Sequence, residues 1–157
     1  MRTRPMFVAL LAVGFAVSAC GGEDQAASDD VDLAVTTTDL GEVLVDGSDM
    51  TLYVFTNDPP GESVCEDDCA AAWPPLTVDG EPTIGDGLDP ALVGTIERSD
   101  GSTQVTYGDA PLYTWASDSE PGDVTGQGVN DVWFVMGPDG EATMETEDAA
   151  SGGLADY

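Results

Sequence analysis

Two stretches of this 157-residue chain carry the same chemistry-bearing residues, Tyr53-x-Phe55-x-x-Asp58 and Tyr113-x-Trp115-x-x-Asp118. Each sets a phenol, a second aromatic ring two residues on, and a carboxylate three residues after that. In an extended strand residues two apart share a face, so Tyr53 and Phe55 point together, as do Tyr113 and Trp115. Paired rings of this kind either fill a core, where each buries about 150–250 Å², or form a platform for a sugar, a peptide or a flat cofactor. A β-domain of about 110 residues has few other large side chains for its interior, so core packing is the expected use.

Asp58 and Asp118 lead into loops punctuated by Pro59-Pro60-Gly61 and Glu120-Pro121-Gly122. An aspartate at such a place typically accepts hydrogen bonds from the turn backbone and closes an Asx-type turn. The alternative is calcium, which takes hard oxygen donors from a glycine-bearing loop. Asp118, Glu120 and Asp123, with Asn130 and Asp131 nearby, are the candidate ligands, and the first loop offers Asp58, Glu62, Glu66, Asp67 and Asp68. Neither loop has EF-hand spacing, and no other cofactor is expected.

Cys65-Glu66-Asp67-Asp68-Cys69 reads as a structural disulfide if the chain is exported. A redox-active pair is disfavoured, because three intervening acids raise the proton affinity of the thiols. Zinc would need His or further Cys to complete its shell. The chain contains no His and no Lys, which removes Ser–His, Cys–His, Ser–Lys and Schiff-base catalysis. Paired carboxylates could hydrolyse glycosides, yet no spacing singles out a pair. Gly126-Gln127-Gly128 precedes a strand pattern and not a helix, so it is no phosphate loop. The expectation is a protein that is not an enzyme.

The elements that must position these residues read as strands. Leu33–Thr37, Glu42–Val45, Thr51–Phe55, Val93–Arg98, Thr103–Tyr107, Leu112–Trp115 and Val132–Met136 are short β-rich runs divided by Asp/Gly turn clusters such as Asp46–Asp49 and Asp100-Gly101. Only Cys69–Trp73 suggests a helical turn or two, stopped by Pro74-Pro75. Laid on itself at a 60-residue shift, the chain also superimposes Trp73 on Trp133. Such self-similarity marks a duplicated unit. The expected fold is all-β: a compact antiparallel domain over 33–140, built from two pseudo-symmetric repeats (about 41–80 and 94–138) with little helix.

Outside that domain, Arg2 and Arg4 precede an apolar run from Met6 to Val17, followed by Val17-Ser18-Ala19-Cys20. This predicts an export signal over 1–19, and the cysteine directly after Val-Ser-Ala resembles the bacterial lipobox, which implies Cys20 as the acylated N-terminus of the mature chain. The run is too short for a permanent membrane span. An acidic tether over 20–32, expected to be flexible, and an acidic tail over 141–157, expected to be disordered, flank the domain. The formal charge of the whole chain is −28, and from Cys20 onward Arg98 stands alone against 31 acids. Nucleic acid is excluded as a partner, since it demands a cationic footprint. Contact with an anionic membrane surface is disfavoured except through the lipid. The acids are spread and not clustered, which fits a halophilic or salt-adapted source, where dense carboxylates are screened.

Thr51–Asp58, Cys65-x-x-x-Cys69-Ala70-Ala71-Ala72-Trp73-Pro74-Pro75-Leu76, Pro111–Trp115, Gly126–Val129 and Val132–Val135 together resemble a family of secreted, often lipid-anchored bacterial repeat proteins of unknown function marked by Tyr-x-aromatic-x-x-Asp. The resemblance spans about Gly41 to Gly137. It implies an extracytoplasmic location, on the outer face of the cytoplasmic membrane or the periplasmic side in a diderm, and implies no substrate. The expected function is a non-enzymatic binding or interaction module, monomeric, with an envelope protein or glycan as partner. The alternatives are an accessory of extracytoplasmic redox chemistry, using Tyr53, Trp73, Tyr113, Trp133 and the cysteine pair, and a carboxylate-based hydrolase.

Overall fold

The computed structural model describes residues 31–145. The expected signal over 1–19, Cys20, all but the end of the tether, and tail residues 146–157 lie outside the described residues.

Among the described residues, seven strands, β1 (Ala34–Thr38), β2 (Gly41–Val45), β3 (Tyr53–Phe55), β4 (Val93–Glu97), β5 (Thr103–Tyr107), β6 (Ala110–Pro111) and β7 (Trp133–Val135), are joined by one short helix, α1 (Asp68–Ala72), and a single 3₁₀ turn, Val129–Asp131. All the ladders between these strands are antiparallel: β1 with β2, β4 with β5 and β5 with β6, and β3 with β7. The all-β expectation holds. Turn chemistry explains the hairpins. Gly41, the first residue of β2, adopts a φ of 95° as the chain leaves the turn from β1, and Asp100 accepts the Ser102 N–H at 2.9 Å between β4 and β5. Asp46 Oδ1 accepts the Ser48 and Met50 amides, returning the chain to the Val45–Thr51 bridge.

The duplication is visible in the backbone. Residues 68–72 (α1) and the 3₁₀ turn correspond at the 60-residue shift, as do β1 and β4. The repeats do not sit side by side as finished units; each completes the other. Tyr53 is paired with Val135 in the β3–β7 ladder, and at the equivalent place Tyr113 is bridged to Pro75. Tyr53 and Tyr113 face one another, exchanging N–H···O=C bonds of 2.7 and 2.9 Å. Two further matched pairs follow. Leu76 donates to Leu112 at 2.9 Å and Met136 to Leu52 at 3.1 Å, while Ala116 donates to Ala72 at 3.0 Å and Thr56 to Val132 at 2.9 Å. A pseudo-two-fold axis therefore runs between Tyr53 and Tyr113.

One expectation is corrected here. The strand expected over Leu112–Trp115 is reduced to the two bridges of Tyr113, with β6 lying just before it. Its neighbours are Pro74 and Pro75, which have no N–H to build a ladder. In the other repeat position 74 is matched by Phe134, which pairs with Val54 in the β3–β7 ladder, whereas Pro74 accepts from the Thr114 N–H at 2.8 Å and has none to return.

Two buried clusters result. Leu33, Leu44, Leu52, Val54, Val105, Tyr107, Leu112 and Met136 form an aliphatic core. Val43, Tyr53, Cys65, Trp73, Tyr113, Trp133 and Val135 form an aromatic one on the pseudo-axis.

Candidate functional site

The motif residues converge on that aromatic cluster. Pairing β3 with β7 aims Tyr53 and Phe55 at the indoles of Trp73 and Trp133. Trp73, at the end of α1, and Trp133, after the 3₁₀ turn, lie parallel with centroids 3.9 Å apart and planes 4° apart. Trp115 stacks on the far face of Trp73 at 4.0 Å, and Phe55 stacks on Trp133 at 4.5 Å. The order Phe55–Trp133–Trp73–Trp115 alternates between repeats. The middle indoles are buried, at 3% and 4% exposure, whereas Phe55 and Trp115 are half-buried. Tyr53 meets Trp73 edge-on at 5.3 Å, and Tyr113 meets Trp133 edge-on at 5.2 Å. The rings are core, as expected, and not an open platform.

The aspartates are used differently from expectation. Tyr53 Oη donates to Asp118 Oδ2 at 2.7 Å, and Tyr113 Oη donates to Asp58 Oδ2 at 2.6 Å. Each phenol thus reaches the carboxylate of the other repeat. The second oxygen of each aspartate spans its own loop: Asp58 Oδ1 accepts the Val64 N–H at 2.7 Å, and Asp118 Oδ1 accepts the Thr125 N–H at 3.1 Å and the Thr125 hydroxyl. These bonds reach six and seven residues along the chain, so neither aspartate closes the short Asx turn that was expected. Burial is the main cause that raises the proton affinity of both phenolates, and the neighbouring carboxylate adds to it. Burial likewise raises the Asp58 carboxyl above its ordinary 3.8, against the lowering effects of the Tyr113 hydroxyl, the Val64 amide and Arg98.

Sequence reasoning missed several members of this network. Arg98 is buried and donates to Gln104 Oε1 at 2.7 Å, to Ser63 Oγ at 2.8 Å and to the Cys65 carbonyl at 2.6 Å. Ser63 also bonds the Tyr113 hydroxyl, which links the only described cation to the Tyr113–Asp58 pair. Gly126 sits where a Cβ would lie 2.8 Å from Trp73 and 2.9 Å from Tyr53, and its N–H donates to Tyr53 Oη at 3.2 Å. Thr51, also buried, donates from Oγ1 to the Asp123 carbonyl at 2.6 Å. The available sequence signal was positional: lone Arg98, and the glycine that opens Gly126-Gln127-Gly128 ahead of the last strand.

Cys65 and Cys69 form the expected disulfide, with Cα atoms 5.2 Å apart. It ties the loop before α1 to the aromatic cluster. Of the calcium candidates, Asp118 has both oxygens committed to protein donors, and Asp123 Oδ2 accepts the Ser119 and Glu120 amides at 2.9 and 3.0 Å. Among the described residues no group of three or more His, Cys, Asp or Glu side chains is placed to hold a metal. Nor is any helix among them long and apolar enough to cross a membrane.

A family model described as a secreted repeat of unknown function matches residues 34–77 and 94–136. The two matches coincide with the halves related by the pseudo-axis, and the first begins with β1, earlier than the expected boundary near residue 41. No curated protein and no solved structure matches the chain.

Proposed function

The chain belongs to the family of secreted repeats of unknown function, and from that premise we propose that it is a non-enzymatic interaction module, held at the outer face of a membrane by lipid on Cys20, whose partner is a protein presenting a cationic face. The observation that carries this reading is the position of Arg98. The only basic residue after the export signal is buried and bonded to Ser63, Gln104 and Cys65. The surface carboxylates therefore have no basic side chain of their own to pair with among the described residues. The motif phenols and aspartates are bonded to each other inside the domain, which supports a reading in which the outer carboxylates make the contact. Complementary charge raises encounter rates and rejects acidic surfaces, including anionic lipid.

The absence of lysine supplies a clean test. Carbodiimide activates carboxylates for coupling to amines, and this chain has no lysine amine to consume them internally. Treatment of intact cells should join the protein to one discrete partner, with the conjugate fading as salt is raised during coupling. The absence of any conjugate, or an unselective smear matching that of another acidic exported protein, would overturn the reading. Binding to isolated envelope glycan without a protein conjugate would do the same.

A further inference from the structure

We propose that the Phe55–Trp133–Trp73–Trp115 stack is a one-electron relay, taking oxidising equivalents at Trp115 and passing them through the Trp73–Trp133 pair to Tyr53. This goes beyond the partner reading above and stands on separate observations. The first is the tightness of the stack. Aromatic side chains usually pack with centroids about 4.5–7 Å apart, in offset or edge-on arrangements that keep the negative ring faces from opposing each other. Here the two inner contacts are 3.9 and 4.0 Å, with planes 4° and 28° apart. Overlap of this kind gains little for neutral indoles. Once one indole has lost an electron, the same neighbours become favourable, because a cation is attracted to a π face. The pair can then share the charge.

The second observation is the surrounding field. A chain of net charge −28 lowers the energy of a positive charge placed within it. Arg98, the one described cation, bonds Ser63, Gln104 and the Cys65 carbonyl and adjoins the Tyr113–Asp58 pair through Ser63. Its charge acts at that end, so the relay ends on the Tyr53–Asp118 pair.

The third is that each inner indole has a phenol at its edge with a proton acceptor already in place. Tyr53 meets Trp73 at 5.3 Å and donates to Asp118 at 2.7 Å. Tyr113 meets Trp133 at 5.2 Å and donates to Asp58 at 2.6 Å. A phenol gives up an electron readily only when its proton leaves as well. The sequence of transfers balances. A one-electron outer-sphere oxidant removes an electron from Trp115, and Trp73 refills Trp115. The hole, shared between Trp73 and Trp133, is then filled by an electron from Tyr53 as its proton passes to Asp118. A tyrosyl radical hydrogen-bonded to a neutral carboxyl remains, and one electron from a small phenol or thiol, with return of the proton, resets it. The ends of the stack differ. Trp115 is an oxidisable ring with an exposed edge, while its pseudo-symmetric mate Phe55 is hard to oxidise and closes the other end.

Flash-quench oxidation of the full exported protein with photogenerated ruthenium(III) tris-bipyridine reads each step. The expected record is a broad near-infrared charge-resonance band from the indole pair, decaying into a tyrosyl signal. Trp73→Phe should abolish the band, and Asp118→Asn should remove most of the tyrosyl signal that follows it. Trp115→Phe, at the half-exposed end where folding is least at risk, should slow formation of the band. A localised indolyl radical in place of the band, or a band unchanged by Trp115→Phe, would overturn the proposal. Neither result bears on the cationic partner, which the carbodiimide experiment tests separately.

Discussion

Tyr53 donates its hydroxyl to Asp118, 65 residues away in the other repeat, and not to Asp58 at the end of its own motif. Asp58 is engaged by Val64 and by Tyr113. The Tyr-x-aromatic-x-x-Asp motif is therefore half of two different bonds, and neither repeat can complete its own.

Energetic coupling should follow this exchange. Hydrogen bonds to charged groups contribute about 1.5–3 kcal/mol, so Tyr53→Phe should lose an amount in that range. Asp118→Ala should lose more, since it also strands the Thr125 N–H and the Tyr53 hydroxyl. The double variant should be more stable than the sum of the two losses implies, by about 0.5–3 kcal/mol. Tyr53 combined with Asp58 should be additive to within about 0.5 kcal/mol. Urea midpoints at unchanged slope measure all four, and coupling to Asp58 in place of Asp118 would refute the exchange.

Much of this was legible in the chain. The alternation in Thr103–Tyr107 and Leu33–Thr37 located strands, and the 60-residue shift found both halves of the site. What it could not supply was the partner of each half. Spacing reports which side chains share a face of one strand, such as Tyr53 and Phe55, because that is local geometry. That Tyr53 meets Asp118 depends on β3 pairing with β7, a long-range choice made by burial of Trp73 and Trp133 together. Leu112–Trp115 failed as a strand for a related reason: its own sequence suits a ladder, but the prolines that defeat it lie in the opposite repeat.

Acid should stabilise the Asp58 end of the site. Burial raises its folded-state proton affinity above the ordinary 3.8, so the folded state binds this proton more tightly than the unfolded chain does. Stability from this group is then fully present below the unfolded value and is lost as pH rises through the folded one. Thermal melts taken downward from pH 7 to about 4 should show a gain that Asp58→Asn reduces. Identical pH profiles for the two proteins would show that the burial effect is cancelled by Tyr113, Val64 and Arg98.

Gly126 is required by space and not by backbone angle. A Cβ there would fall 2.8 Å from one indole carbon of Trp73 and 2.9 Å from the Tyr53 ring. Both rings are buried and cannot swing aside. Gly126→Ala should therefore destabilise by about 1–3 kcal/mol, the usual range for overpacking, although alanine is otherwise a mild change. The near-ultraviolet circular dichroism of the stacked indoles should change with it. An unaltered spectrum and melting temperature would mean that the loop yields freely.

Reduction of Cys65–Cys69 should be hard but only moderately damaging. The closed loop is short, with a sequence separation of 4, and chain-entropy reasoning gives a loss of about 2 kcal/mol. Cys65 is fully buried, which limits access by an attacking thiolate. A structural bond of this type should have a potential below about −300 mV in a glutathione or dithiothreitol titration. A value near that of exchange catalysts would instead mark a working redox pair.

Low salt should weaken the fold. The screening length is about 30 Å at 0.01 M and about 10 Å at 0.1 M, so at the lower value most of the domain's carboxylates repel one another across its whole width. Unfolding separates them, and the folded state bears the larger penalty. Melting temperature in sodium chloride should climb between about 0.01 and 1 M and then flatten as the screening length falls to about 3 Å. Replacing Glu66, Asp67 and Asp68 by amides should reduce the climb without shifting the high-salt plateau by a comparable amount. These side chains are solvent-facing, which favours charge over packing as the cause. A flat dependence would mean that the acids are spaced widely enough for water alone to screen them, and salt adaptation would then have no basis in this fold.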